Sequence, residues 1–223
     1  LSLVAGIFDP VGLIACITTP GKFLVQLCFR EGLRWNDVLP EHLQLKVNEW
    51  IGRVKSIGEG SSDPNKVSSL AICSIYPRRL TTLTVERPTF ELHVFADASQ
   101  FIYAVIAFVR SISPDGVIDV QPVLAKTRLA PIKGLSIPRL ELCACVLAAR
   151  VSCFLRRELD IAFESITHWT DSSAALGYIR NTKTRFSVFV GHRVEEIQAT
   201  APIRTWKHVP TKFNPADGLT RGQ

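Results

Sequence analysis

Residues 1 to about 57 read as helical, because apolar residues recur at three- and four-residue intervals through LVQLCFREGL and EHLQLKVNEWIGRVKSI. LRWNDVLP between them reads as a turn, with Pro40 near the start of the second helix. GEGSSDPNK, 58–66, concentrates turn formers and is the expected linker; a short apolar run, SSLAICSIY, follows it. From residue 90 the period shortens to two. FELHVFADAS and FIYAVIAFVRS predict two strands, SPDG a turn, and VIDVQPVLAKTRL a third strand. Three adjacent strands with a tight turn imply an antiparallel meander. SIPRLELCACVLAARVSCFLRREL returns to the helical period, with Leu140, Ala144, Leu147, Val151 and Leu155 on one stripe and Pro138 in the first turn. SITHWT predicts a short strand, DSSAALGYIR and RFSVFVGHRVEEIQAT two helices, IRTWKHV a strand, and NPADGLTRG the start of a terminal helix. The expected order from residue 90 is β-β-β-α-β-α-α-β-α, with no internal repeat.

Composition narrows the class without changing this picture. At 223 residues, 47% hydrophobic and 21% charged, the chain can bury a sizeable core. No run of about 18 apolar residues is free of charge, so no membrane partner is expected. The apolar opening carries Asp9 and Pro10 and lacks a basic n-region, unlike a signal peptide. The absence of Met is the expectation of a piece of a longer polypeptide. Six Cys, none in C-x-x-C, read as reduced thiols in a reducing compartment. His42, His93, His168 and His192 lack ligand spacing, which argues against zinc.

Four acids fall at odd places. Asp97 ends the first apolar strand, Glu141 opens the long helix among Leu140, Leu142 and Cys143, Asp171 follows the fourth strand, and Asp217 lies in the terminal helix. Separations of 44, 30 and 46 residues exclude coupling by local geometry, so only the fold can unite them. Asp171 also suits a helix N-cap before SSAAL. Converging carboxylates repel, and some must protonate unless a cation intervenes. Oxygen ligands favour Mg²⁺ or Mn²⁺. Two such ions about 3.5–4 Å apart can activate an attacking water and stabilise a leaving oxygen.

FADAS, AKTRLAPIKGLSIPRLELCA, HWTDSSAALGYI and HVPTKFNPADGLTRG, with IFDPVGLIA and LRWNDVLP upstream, resemble the Bel/Pao class of LTR retrotransposon polyproteins over nearly the whole chain. The ordered acids resemble the Asp-Glu-Asp-Asp set of retroelement ribonuclease H domains. The resemblance implies an α+β fold: a ribonuclease H-like mixed five-stranded sheet with flanking helices over 88–223. A small mainly helical region over 1–80, like a reverse transcriptase thumb or connection, would precede it. It implies that Asp97, Glu141, Asp171 and Asp217 hold two Mg²⁺, with Mn²⁺ possible, for hydrolysis of the RNA strand of an RNA–DNA hybrid. The 2′-OH would select the RNA strand. Cellular relatives carry a His shortly before the last Asp; His208 stands there, within strand-like TWKHVP. The implied partners are the hybrid, an upstream reverse transcriptase palm and a downstream integrase. The implied location is cytoplasmic, in a virus-like particle or reverse-transcription complex. The family is sometimes labelled a peptidase, but no Asp-Thr-Gly or Asp-Ser-Gly triplet appears, and neither does Tyr-x-Asp-Asp. A non-catalytic tether that grips nucleic acid for a polymerase is the alternative; an aspartic peptidase is a weaker one.

From residue 90, sixteen basic residues stand against twelve acidic, a balance suited to a polyanion. Lys126 and Arg128 in KTRLAPIKG, and Lys183 and Arg185 in NTKTR, are candidate phosphate contacts. Ser99 and Ser172 suit either a local turn or the site. Trp169 and Trp206 are expected in the core, and IFDPVGLIA is expected against a domain further upstream.

Overall fold

Long β-rich runs make the core of this molecule, as seen in a computed structural model that describes residues 4, 6–7, 9–12, 14–58, 80–84, 87–183 and 185–221. The expected linker lies, beyond Gly58, outside the described residues, as does the apolar run 68–76. Strands β1 (Thr89–Ala98), β2 (Ile102–Ile112) and β3 (Ile118–Leu129) form the antiparallel meander. Gly116, at φ +87°, closes the β2–β3 turn: Ser113 and Val117 pair across it, and only glycine takes that conformation freely. β4 (Phe163–Thr170) joins β1 in parallel, and β5 (Trp206–His208) joins β4 in parallel. The sheet order is β3-β2-β1-β4-β5. The strand expected over 203–209 is shorter because Ile203–Thr205 turns as a 3₁₀ segment.

Helix α3 (Ile137–Glu158) packs on this sheet. The predicted stripe of Leu140, Ala144, Leu147, Val151 and Leu155 is buried. Leu142, Cys145, Val146 and Ala149 are buried as well, because α4 (Ser173–Arg180) and α5 (Val188–Thr200) cover the helix from its other side. Leu92, Val94 and Ala96 of β1 complete the same core. Short α6 (Asp217–Thr220) packs against β1 and β2. Trp206 is in the core, stacked on His168. Trp169 is only half-buried and stacks on Phe95, outside that core cluster.

Upstream, α1 (Ala15–Arg30) and α2 (Glu41–Gly58) form a hairpin, tied by Trp50 Nε1 donating to the Ile17 carbonyl at 2.9 Å. α1 runs through Pro20. Thr18 and Thr19 are buried, and the Thr19 and Thr127 hydroxyls bond at 2.7 Å, docking α1 on β3. Within IFDPVGLIA, Val11 and Gly12 meet β3. Val11 accepts a hydrogen bond from the Ala125 amide at 2.7 Å, covering the outer edge of β3. Gly12 is required there: at φ +75°, a Cβ would stand 1.8 Å from the Ala125 oxygen. Among the described residues no helix is long and apolar enough to cross a membrane.

Candidate metal centre

Strand alternation would place an apolar residue or an exposed polar one at position 97, yet Asp97 is a buried acid, 4% exposed. It sits next to last in β1, and β1 pairs in parallel with β4 so that Ala96 lies opposite Thr170. The next residue of each strand is therefore an aspartate, Asp97 and Asp171, at adjacent ends of the two parallel strands. Glu141, in the first turn of α3, is the third. One carboxylate oxygen from each of Asp97, Glu141 and Asp171 lies within 4.8 Å of the others. The fold thus unites residues that the sequence separates widely.

Two neighbours orient the aspartates, and sequence reading missed both. The buried Thr220 hydroxyl donates to Asp97 Oδ2. The buried Asn214 side chain donates to the Ala96 carbonyl at 3.0 Å and to Asp171 Oδ1 at 3.4 Å. Asn214 lies in the NPAD run already singled out for Asp217, so its signal was present; Thr220 carried none. Among the described residues, Glu141 is met by a backbone hydrogen bond from Ala98 alone. Its Oε2 is buried with no hydrogen bond among the described residues, a costly state for a carboxylate oxygen.

The electrostatics follow from crowding and burial. Burial pushes the Glu141 carboxyl up to about 8, and the charges of Asp97 and Asp171 push the same way. Asp97 is also raised, first by burial and then by repulsion from Asp171 and Asp217, against the Thr220 hydrogen bond. Cys145, fully buried beneath the site, is held as a thiol, mainly by burial. Cations are what such a set lacks. Three hard oxygen donors with one buried orphan oxygen fit a divalent ion of the Mg²⁺ or Mn²⁺ type.

Asp217 is placed differently from the other three. It heads α6, outside the group within 4.8 Å, and pairs with Arg221 Nε at 2.6 Å. Its charge still reaches Asp97. His208 is exposed on β5, with Nε2 3.2 Å from the Asp171 backbone carbonyl. Ser172, not Asp171, caps α4: its hydroxyl accepts from the Ala175 amide at 3.2 Å, which leaves the Asp171 carboxylate to the cluster. Ser99 closes the β1–β2 turn through the Ile102 amide at 3.2 Å and the Ile102 carbonyl at 3.3 Å. Lys126 is exposed over the Phe154 ring, Arg128 is exposed at the end of β3, and Lys183 and Arg185 are exposed between α4 and α5.

A mixed sheet in this order, with acids at the ends of its adjacent parallel strands and on the helix behind them, defines a ribonuclease H-like domain. The chain belongs to the Pao retrotransposon-like RNaseH-like domain family, whose model matches residues 1–172. That span contains Asp97, Glu141 and Asp171 and ends before Asn214, Asp217 and Thr220. No curated protein matches the chain. Among solved structures, it is similar to the N-terminal RNase H domain of a Mycobacterium tuberculosis protein. There the identity is 13% and the TM-score 0.43, covering 60% of this chain and 92% of that one. It is also similar to RNase H1 of Halobacterium salinarum, at 13% identity and TM-score 0.39, over 60% and 95% of the two chains. LC11-RNase H1, solved in complex with an RNA/DNA hybrid, is 12% identical with TM-score 0.39, over 60% and 94%.

Proposed function

We propose that this chain is a retrotransposon ribonuclease H that hydrolyses the RNA strand of RNA–DNA hybrids during reverse transcription. The observation that carries the reading is the convergence of Asp97, Glu141 and Asp171, with the Glu141 oxygen left orphaned, in a member of the Pao family. These three would hold divalent cations, two Mg²⁺ in the full reading, and Asp217 joins them if its Arg221 pairing yields. Bound ions would offset the carboxylate repulsion, lower the pKa of water and stabilise charge on the leaving oxygen.

The chain's own residues set the conditions. Thr220 fixes the Asp97 carboxylate and Asn214 fixes that of Asp171, so both are oriented before any ion arrives. Glu141, raised to about 8, carries a proton on its carboxyl at neutral pH and releases it as a cation enters. His208, exposed beside the Asp171 carbonyl, is the group at the rim able to take up or give a proton. Selection of RNA would rest on the 2′-OH. Residues 1–80 take the place of the connection to an upstream polymerase, with the reaction occurring in a cytoplasmic reverse-transcription complex.

The test is incubation of the chain with a labelled hybrid and Mg²⁺. Cleavage of the RNA strand alone is expected, and loss of at least about 100-fold in Asp97→Asn, since charge stabilisation at the reacting centre is worth that much. Hybrid bound but left intact by the unaltered chain would contradict the nuclease reading and favour a tether.

A further inference from the structure

Away from the acidic cluster, a second constellation stands in the cleft between β2, β3, α3 and α5. It encloses a cavity of about 300 Å³ lined by Tyr103, Arg128, Cys143, Arg150, Arg193 and Glu196, among others. The meander places Tyr103 directly opposite Arg128. Residues 143 and 150 of α3, and 193 and 196 of α5, close the other side. Three guanidinium groups thus meet one carboxylate.

The polar groups there are not all engaged with one another. Arg150 grips Glu196 with two nitrogens, at 2.5 and 3.0 Å, which accounts for the carboxylate. Arg193 is held by its surroundings: Nη1 donates to the Phe189 carbonyl at 2.9 Å, Nε to Cys143 Sγ at 3.4 Å, and its plane lies 3.5 Å from the Phe189 ring centroid. Neither is an anion, so its charge is uncompensated. Arg128 has no ion pair or hydrogen bond among the described residues, and neither has the Tyr103 hydroxyl. Tyr103, Arg128, Arg150 and Arg193 line the same cavity; burial and Cys143 push the Tyr103 phenol up, while the three arginines pull it down. The cleft therefore carries two unmatched guanidinium charges, of which that of Arg193 is held in place, and a free hydroxyl donor. Arg139, which shares the Phe189 ring at 5.2 Å, extends the positive surface toward the first turn of α3, where Glu141 lies.

The geometry points to a phosphate-binding site in this cleft, with Arg128, Arg193 and Tyr103 as the binding groups, Arg150 being taken up by Glu196. Guanidinium forks match phosphate oxygens, and a phenol hydroxyl adds a directed donor. A nucleic acid strand supplies that group as a phosphodiester, in which case the inference rests on the nuclease reading; a small phosphate ligand supplies the same chemistry without it.

Both sources are tested on the full chain in EDTA, so that no cleavage intervenes. Affinity for a labelled RNA–DNA hybrid is measured by anisotropy against salt, and thermal stabilisation by inorganic phosphate is measured in parallel. In Arg128→Ala the hybrid is expected to bind about tenfold more weakly, and the salt slope to fall by about one. Arg128→Lys should restore the slope but only part of the affinity, because it keeps the charge and loses the fork. Tyr103→Phe, which keeps the ring, should weaken binding about threefold with the slope unchanged. Arg156→Ala removes the same charge from α3 outside the cleft and should change neither quantity. Loss confined to inorganic phosphate stabilisation would establish the site with a small ligand. Unchanged hybrid binding together with unchanged phosphate stabilisation in Arg128→Ala and Tyr103→Phe would overturn it. Cleavage in Mg²⁺, assayed separately, distinguishes this failure from failure of the nuclease reading.

Discussion

At the scale of single residues, two buried titratable groups oppose each other. Glu141 titrates near 8 in the folded chain, above its unfolded value. The folded state therefore holds a proton that the unfolded state has lost between about pH 4.5 and 8, and stability falls as pH rises through that window. His168 behaves in the opposite sense. Burial lowers it to about 4, with its ring nitrogens 2.8 Å from Ser152 Oγ and 2.9 Å from Thr205 Oγ1. Its contribution is present above about pH 6.5 and is lost as pH falls toward 4. The two slopes offset below pH 6.5 and leave Glu141 unopposed above it. The metal-free chain should lose stability between about pH 6.5 and 8, at up to roughly 1.4 kcal/mol per pH unit. Denaturant titrations across that range check it. Glu141→Gln should flatten the slope, and a slope unaltered by that change would refute the assignment. The acids were legible because a carboxylate inside an apolar strand or helix face has few inert explanations. Asn214 lay in the NPAD run, but its role was not legible there, and Thr220 carried no signal, since a polar residue in a loop or short helix is unremarkable until its partner is known.

Among the elements, alternation located four strands to within two residues, and the 3.6-residue period located α3, because those patterns are local. Thr18, Thr19 and Pro20 are poor helix formers, yet α1 runs through them. They are helical because β3 supplies a partner for Thr19 and a surface for the rest. Tertiary packing outweighed local propensity there. Glycine tests the same contact. Gly12→Ala meets both a positive φ and the Ala125 backbone, whereas Gly116→Ala meets only the φ penalty, with nothing within 4 Å. The second should cost about 1–2 kcal/mol, and the first more, together with faster hydrogen exchange at the Ala125 amide. Equal losses in chemical denaturation would contradict the docking of Val11 and Gly12 on β3.

For the whole molecule, the order β3-β2-β1-β4-β5 is what sets Asp97 beside Asp171, and no periodicity reports it. Strand pairing between 96 and 170 is long-range, so the common site was legible only through the resemblance that the chain bears to its family. The arginine cleft was hidden for the same reason: Arg128, Arg150 and Arg193 belong to three separate elements. The central claim is that the fold builds a divalent-cation site from Asp97, Glu141 and Asp171. Its most direct test is thermal unfolding at pH 7.5 with and without Mg²⁺, for the unaltered chain and for Asp171→Asn. Mg²⁺ at ten times its dissociation constant should stabilise the unaltered chain by about 1.4 kcal/mol, a rise of roughly 3–6 °C. The variant should unfold at a higher temperature than the unaltered chain without metal, relieved of one repelling charge, and should gain nothing from Mg²⁺. An equal Mg²⁺-induced rise in both proteins, or none in either, would contradict the claim.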